Sequence, residues 1–194
     1  MGRKLSFCKE EALGKAVRLF GARGYEKTCM RDVAHKIDVP VASLYHTFGD
    51  KSALLSAALE SYFENNVKPT AAAVGAAERP RAAITDFFMQ MIAECADGKD
   101  GNCLMLRAAS ELGQDVPDAA KSAKRMMGYV RDQFTRAVAH GQAAGDITIK
   151  HDAEFLSAYL IGQLIAIKTW LRMGAGTQQL QTYITEALEI LAPR

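Results

Sequence analysis

Apolar residues recur at intervals of three and four positions along most of this chain, which is the spacing of one face of an α-helix. The clearest run is Met30, Val33, Ala34 and Ile37, which predicts a helix of about three turns. Only residues 147–149 indicate extended chain, and they are too few to make a sheet. The pattern therefore predicts an all-α protein of about nine helices.

The apolar spacing breaks immediately after this helix. Pro40 has no N–H to donate and disfavours the α conformation at Val39, so the helix has to end before it. A second, very short helix is expected over about residues 41–47, with Leu44 and Phe48 as its buried anchors. Two short helices joined by a tight turn are typical of a helix-turn-helix, which places its second helix in the major groove of DNA. An ordinary helical hairpin at a protein surface is the alternative.

Two predicted helix starts bear on phosphate binding. We expect Thr28 to be the N-cap of the first of these helices, because its hydroxyl can accept a free N–H of the first turn. Asp50 is expected to cap the helix that follows, which leaves Lys51 in a first turn, where a cation opposes the helix dipole. A nearby phosphate would remove that penalty, since helix N-termini and lysines both favour anions. A plain exposed lysine is the alternative.

A dense motif covers residues 19–54. It contains LF-x-x-x-G-Y, then T-x-M-R-D-V-A, then V-x-x-x-S-L-Y-H-x-F-x-x-K, and it resembles the N-terminal signature of the tetracycline-repressor (TetR) family of transcriptional regulators. The resemblance implies a ligand-responsive regulator, most simply a repressor, in which the lysine at the position of Lys51 contacts the DNA backbone. Pro40, Val41, Ala42 and Thr47 stand where serine, lysine, glycine and a second aromatic residue are frequent in the family. The operator sequence therefore does not follow by analogy.

This interpretation divides the chain into two parts. Residues 1–50 are expected to form a three-helix DNA-binding bundle, and residues 51–194 a larger helical domain for effector binding and dimerisation. The partner of the first part is double-stranded operator DNA. The residues expected to contact bases are Ala42, Ser43, Tyr45 and His46, with Val41 and Ala42 suited to a thymine methyl group; those expected to contact phosphates are Thr28, Arg31, Tyr45 and Lys51.

Charge supports this division, because the basic excess lies at the N-terminal end. The chain of 194 residues carries a formal net charge of +2, but residues 1–51 hold 10 Lys and Arg against 6 Asp and Glu. That is a net of +4, which leaves −2 for the remainder, and a basic end is the electrostatic footprint of a phosphate-binding surface. No apolar run is long enough to span a bilayer, and no signal-peptide core occurs, so we expect a cytoplasmic protein without a membrane partner.

The sequence gives no sign of a catalytic or metal centre. The cysteines Cys8, Cys29, Cys95 and Cys103 lack the spacing of metal ligands, and the four histidines are scattered. We therefore expect neither an enzyme nor a bound cofactor. Two alternatives remain: a regulator that senses oxidants or electrophiles through Cys103, with Cys95 as the resolving thiol, and a helical module that binds another protein.

The C-terminal half predicts a self-association surface and a ligand pocket. Residues 152–173 carry two apolar stripes and residues 178–191 carry one, so this helix pair suits a two-fold four-helix interface, with an internal core helix as the alternative. The resemblance implies a homodimer and a small-molecule effector, and the absence of a charged cluster favours an apolar or aromatic one. Candidate pocket residues, for each of which plain core packing is the alternative, are Phe87, Phe88, Met91, Met105, Tyr129, Gln163 and Trp170.

Overall fold

The computed structural model describes residues 7–96, 104, 105, 108 and 116–193, without the side chains of residues 95 and 96. Every regular element in these ranges is helical, which confirms the predicted all-α class. The α-helices are α1 (Lys9–Arg23), α2 (Met30–Ile37), α3 (Val41–Phe48), α4 (Lys51–Tyr62), α5 (Lys68–Gly75), α6 (Pro80–Ala96), α7 (Pro117–Ala143), α8 (Ala153–Arg172) and α9 (Thr177–Ala187). A π-helical segment, Phe63–Val67, joins α4 to α5, and a 3-10 turn, Leu188–Leu191, follows α9.

The chain separates into two compact units. Unit 1 comprises residues 1–65 and 101–126, and unit 2 comprises residues 66–100 and 127–194. Helix α7 therefore contributes its first ten residues to unit 1 and the rest to unit 2. The predicted functional division after residue 50 stays a prediction.

Unit 1 is built around α1, which packs against both α2 and α4. The apolar stripe of α2 that the spacing predicted is buried in full, and Phe20 of α1, Leu44 of α3 and Leu55 of α4 are completely enclosed. Tyr25, just after α1, stacks on Phe20 with ring centroids 6.1 Å apart. An ion pair joins Glu60 of α4 to Arg125 of α7 at 2.7 Å, so α7 is also tied to this core.

The helical run that begins with α4 continues through the π-helical segment and α5. Residues 69–80 are rich in small residues, a composition that suits frayed helix or linker, but α5 extends to Gly75 and buries Ala71 and Val74. Alanine is the best helix former, so a run of alanines ending in buried contacts stays helical. Pro69 lies in the first turn of α5, where its missing N–H costs least.

Unit 2 holds α6 against α5, α8 and α9. Its aromatic centre consists of Phe87 and Phe88 of α6 with Phe134 of α7, at centroid distances of 5.3 Å for Phe87–Phe134 and 6.0 Å for Phe88–Phe134. No strand forms in the described ranges, and of the two isoleucines in residues 147–149, Ile147 is buried and Ile149 is exposed. None of the described helices is both long and apolar enough to cross a membrane.

Candidate nucleic-acid interface

The turn between α2 and α3 has the geometry of a helix-turn-helix. Asp38 ends α2 in the left-handed conformation (φ 65°, ψ 53°), and the Val39 N–H then returns to the Ala34 carbonyl at 3.0 Å. A left-handed residue at this position lets the chain reverse within three residues, and aspartate tolerates it better than most side chains. Pro40 is the N-cap of α3 and begins the second helix immediately.

Helix α3 has one buried side and one exposed side. Leu44 and Phe48 are buried in the bundle, whereas Ala42, Tyr45 and His46 are exposed, with 51% of Tyr45 open to solvent. Ser43 and Val41 are half-buried at the edges of this outward face. The structure therefore places the four residues predicted to contact bases, together with Val41, on the outward face of α3 or at its edges.

The buried side of α3 is held by contacts that sequence spacing did not reveal. The ring of Phe7 lies 6.3 Å from that of Phe48, and the Lys9 Nζ atom lies 5.7 Å from the centroid of the same ring. The Thr47 hydroxyl donates to the Ser43 carbonyl at 2.8 Å, so it is used within the helix. The two contacts with the Phe48 ring hold the buried side of α3 in place and so help to set the direction in which Tyr45 and His46 point.

The prediction that Thr28 caps α2 is wrong, because the N-cap is Cys29. The Cys29 side chain accepts the backbone N–H of Asp32, and the Asp32 carboxylate accepts the Cys29 N–H at 2.8 Å, which together make a capping box. The hydrogen bond from the Cys29 backbone is the main cause of a lowered pKa at Asp32. The sequence did contain a signal for this capping box, because Asp32 follows Cys29 by three residues.

Thr28 itself lies inside the bundle. It is 1% exposed, and its hydroxyl donates to the Gly24 carbonyl at 2.7 Å. That hydrogen bond closes the loop between α1 and α2, so the side chain has a structural task. Its predicted contact with phosphate stays a prediction, to which this placement lends no support.

Lys51 is stabilised in its unfavourable position by contacts that the sequence did not indicate. Its Nζ atom donates to the Tyr25 carbonyl at 3.1 Å and lies 3.9 Å from the centroid of the Tyr25 ring. Both contacts stabilise the ammonium group at a helix start, where the dipole opposes it. Asp50 caps α4 as predicted, by accepting the Ala53 N–H at 2.8 Å.

Arg31 is an exposed cation of α2 that remains available. It is exposed on α2, and it has no hydrogen bond or ion pair anywhere in the described part of the chain. An unpaired guanidinium beside a helix-turn-helix is suited to a phosphate, because its planar donors match the phosphate oxygens. The outward face of α3 is thus polar and aromatic, and α2 carries an exposed arginine without a partner in the described residues.

The predicted pocket residues belong to several helices and to both units. Phe87, Phe88 and Met91 lie in α6, whereas Met105 belongs to unit 1. Gln163 accepts the Tyr183 hydroxyl between α8 and α9, and Trp170 is 49% exposed, so these two residues lie on an outer face.

Tyr129 is half-buried in α7, next to Val130 in the buried stripe of that helix. Cys103 and the side chain of Cys95 lie outside the described residues, so the thiol hypothesis has no structural observation to draw on.

Two family models and a relative of known name match this chain. Residues 12–58 match the model of bacterial regulatory proteins of the tetR family, and residues 78–187 match that of the tetracyclin repressor-like C-terminal domain. The HTH-type transcriptional repressor ComR of Escherichia coli (strain K12) is 29% identical over 186 residues, covering 92% of this chain and 86% of ComR.

Two solved structures share the fold. A TetR-family transcriptional regulator from Agrobacterium tumefaciens gives a TM-score of 0.86 at 17% identity, covering 95% of this chain and 97% of that one. A cysteine mutant of the TetR-family regulator CifR, in complex with 26-bp double-strand operator DNA, gives 0.79 at 22% identity, with 96% and 98% coverage. Since the C-terminal family model alone matches more than half of the residues, this chain belongs to the tetR family of bacterial regulatory proteins.

Proposed function

We propose that this protein is a cytoplasmic transcriptional repressor that binds a near-palindromic operator as a homodimer and leaves it when a small molecule binds. The observation that carries the proposal is the outward face of α3, where Tyr45 and His46 are exposed on a short helix whose opposite side is buried. ComR is named a repressor, and the CifR structure contains operator DNA, which supports the same activity here. The protein acts by binding rather than by catalysis.

In this proposal the outward face of α3 reads bases and the surrounding groups hold phosphates. Tyr45 and His46 offer hydrogen-bonding groups at the tip of the face, and Ala42 leaves room for a thymine methyl. Arg31 provides the strongest phosphate contact because its charge has no partner in the described chain. Lys51 reaches a phosphate by leaving the Tyr25 carbonyl, or binds one while its ammonium still rests on that ring.

The homodimer forms through the outward face of α8. One side of α8 is buried by its own chain, including Leu156, Leu160 and Leu164, but Phe155 and Trp170 are about half exposed on the other side. Large apolar side chains exposed along one helix face mark an interaction surface. The same face carries small exposed residues, Ala158 and Gly162, that allow a second helix to approach closely.

Hydrogen bonds from two tyrosines connect α8 to α9 within one chain. The Tyr159 hydroxyl donates to the Ala187 carbonyl at 2.9 Å, and the Tyr183 hydroxyl donates to Gln163, so α8 and α9 are tied at two points. Burial raises the pKa of Tyr159, which keeps the proton that the hydrogen bond needs. A rigid helix pair loses little conformational entropy on association, which favours a stable four-helix interface.

A dimer explains how one short helix can select an operator. Two α3 helices related by a two-fold axis read two half-sites, whereas a single one contacts only a few base pairs. A small molecule releases the DNA if it binds one separation of the two readers more tightly than the other. The effector site belongs to the C-terminal part of the chain, near the aromatic centre of unit 2.

The test is selection of the bound sequence from random duplex DNA, followed by titration of that duplex at several salt concentrations. We expect a near-palindromic sequence, an affinity that falls steeply with salt, and losses of about tenfold or more in His46→Ala and Lys51→Ala. Lys124→Ala, an exposed lysine of α7, is the control for a general loss of charge. Failure to enrich any sequence, or binding that ignores both substitutions, would refute the proposal.

A further inference from the structure

Five buried residues in the described chain are polar or charged, and Gln133 of α7 differs from the other four. Thr28 and Ser157 donate to backbone carbonyls, Thr148 accepts a backbone N–H, and Lys168 also has an interaction partner. Gln133 is only 7% exposed, yet its amide makes no hydrogen bond to any residue that the structure describes. Buried polar groups in proteins are nearly always paired, so an exception calls for a reason.

The amide of Gln133 is not completely enclosed. No side-chain nitrogen or oxygen in the described residues is both fully enclosed and without a partner, so the amide still reaches solvent. Its position depends on Gly75 at the end of α5, because a Cβ atom there would collide with the Gln133 Oε1 atom and lie 3.2 Å from Cδ. The Gln133 amide is therefore almost buried, in a space that exists because Gly75 has no side chain.

The surroundings of Gln133 are apolar. It is the only polar side chain among the buried residues of α7, where Val130 and Ala137 lie on the same stripe. The next residue, Phe134, belongs to the aromatic centre with Phe87 and Phe88, and Phe87 is only partly buried. Ligand pockets have this composition: aromatic and aliphatic walls with a few polar groups that fix orientation.

We propose that the Gln133 amide is the polar anchor of the effector site, and that it selects a neutral molecule with an aromatic or apolar body and one hydroxyl or carbonyl group. This inference rests on the proposed effector-responsive function and specifies its ligand class. An amide both donates and accepts, so it pairs with either group without any charge on the ligand. A site built to hydrogen-bond a ligand rejects an analogue that lacks the polar group, because the buried amide then loses its partner.

The experiment is equilibrium dialysis of the full-length protein with three probes of one shape: 2-naphthol, naphthalene and 2-naphthoate. We expect 2-naphthol to bind at least about tenfold more tightly than naphthalene, and 2-naphthoate to bind more weakly than 2-naphthol. In Gln133→Met, a nearly isosteric change, the preference for 2-naphthol over naphthalene should disappear. Gln90→Met, at an exposed glutamine of α6 that bonds only Glu94, is the matched control and should keep it.

Two further measurements separate an anchor from a structural glutamine. Without any probe, Gln133→Met should change Tm by no more than about 1 °C, because the amide that it removes still reaches solvent; a packing role predicts a clearly lower Tm instead. Gly75→Ala, which keeps the glutamine but fills its place, should weaken 2-naphthol binding and so tests the site if Gln133→Met does not fold. An unchanged preference in both variants, tighter binding of 2-naphthoate, or no binding of any probe by the unmodified protein overturns the proposal.

Operator binding by the same unmodified protein is measured separately, without probes. If it fails, the proposed regulatory function is wrong whatever the dialysis gives. If the operator binds but the dialysis preferences are absent, only the anchor is wrong.

Discussion

Helices α3 and α8 each expose one face of a helix whose other face is buried, yet the two exposed faces differ in chemistry. Tyr45 and His46 on α3 carry hydrogen-bonding groups, and the free guanidinium of Arg31 lies close by in the chain. Phe155 and Trp170 on α8 present carbon surface. Exposure alone does not indicate which partner a helix face binds, but the polarity of the face does. The face of α3 suits DNA, and the face of α8 suits another apolar helix.

The largest effect should come from placing a charge on the apolar face. Trp170→Glu should weaken self-association by about 30-fold or more, because tryptophans that act as hot spots of an interface contribute about 2 kcal/mol or more each. Sedimentation equilibrium measures the dissociation constant directly. Ala82→Glu, which adds the same charge at an exposed position of α6, should leave it unchanged. A Trp170→Glu protein that sediments like the unmodified one would show that this face is not the interface.

A somewhat smaller effect is expected on the polar face. Tyr45→Ala should lower affinity for the selected operator about 10-fold to 100-fold, since a lost base contact costs about 1–3 kcal/mol, while affinity for unrelated duplex changes little. Fluorescence anisotropy with both duplexes measures this ratio. Thr47→Ala is the control on the same helix, because the Thr47 hydroxyl is already bound to the Ser43 carbonyl. Equal losses on both duplexes would contradict a base-reading role.

Substitution of Arg31 tests whether this residue binds phosphates or contacts bases. Arg31→Ala should weaken binding to all duplexes alike and make the slope of log affinity against log salt concentration shallower by about one for each arginine removed. Anisotropy titrations at four salt concentrations give the slope. Arg131→Ala serves as the control, since this arginine already pairs with Glu154 at 3.8 Å. A changed sequence preference with an unchanged slope would instead make Arg31 a base contact.

The smallest effect concerns the capping box that starts α2. The Asp32 pKa is lowered below its usual 3.8 by the Cys29 backbone N–H, so the ionised form is the stabilising one. Its contribution is therefore present above pH about 4 and is lost as the pH falls through the lowered pKa. Asp32→Ala should lower Tm at pH 6 and make little difference near pH 2, as measured by circular dichroism. A constant difference across this range would assign the effect to something other than the carboxylate.

The sequence predicted the elements whose causes are local. The spacing of Met30, Val33 and Ile37 predicted α2 and its buried side, and Pro40 predicted where α3 begins. The spacing of Leu44 and Phe48 predicted which side of α3 faces outward. Periodicity succeeds here because burial of one helix side is decided within a few residues.

The misses arise from contacts that spacing does not encode. Lys51 binds Tyr25, which lies 26 positions earlier, so no local pattern could show that its charge was already stabilised. The small residues of segment 69–80 suit frayed helix or linker, so composition alone did not predict α5, which is stabilised by burial of Ala71 and Val74. Gln133 escaped notice for a related reason: a glutamine on a helix is ordinary until its neighbours are known to leave it without a partner.

The half-exposed indole of Trp170 has a practical consequence. It is the only tryptophan in the chain, so the intrinsic fluorescence of the protein comes almost entirely from the face proposed to meet a second copy. Dilution that separates two copies would return this ring to water and shift its emission to the red. Assembly can thus be followed optically at nanomolar concentrations, without any attached dye.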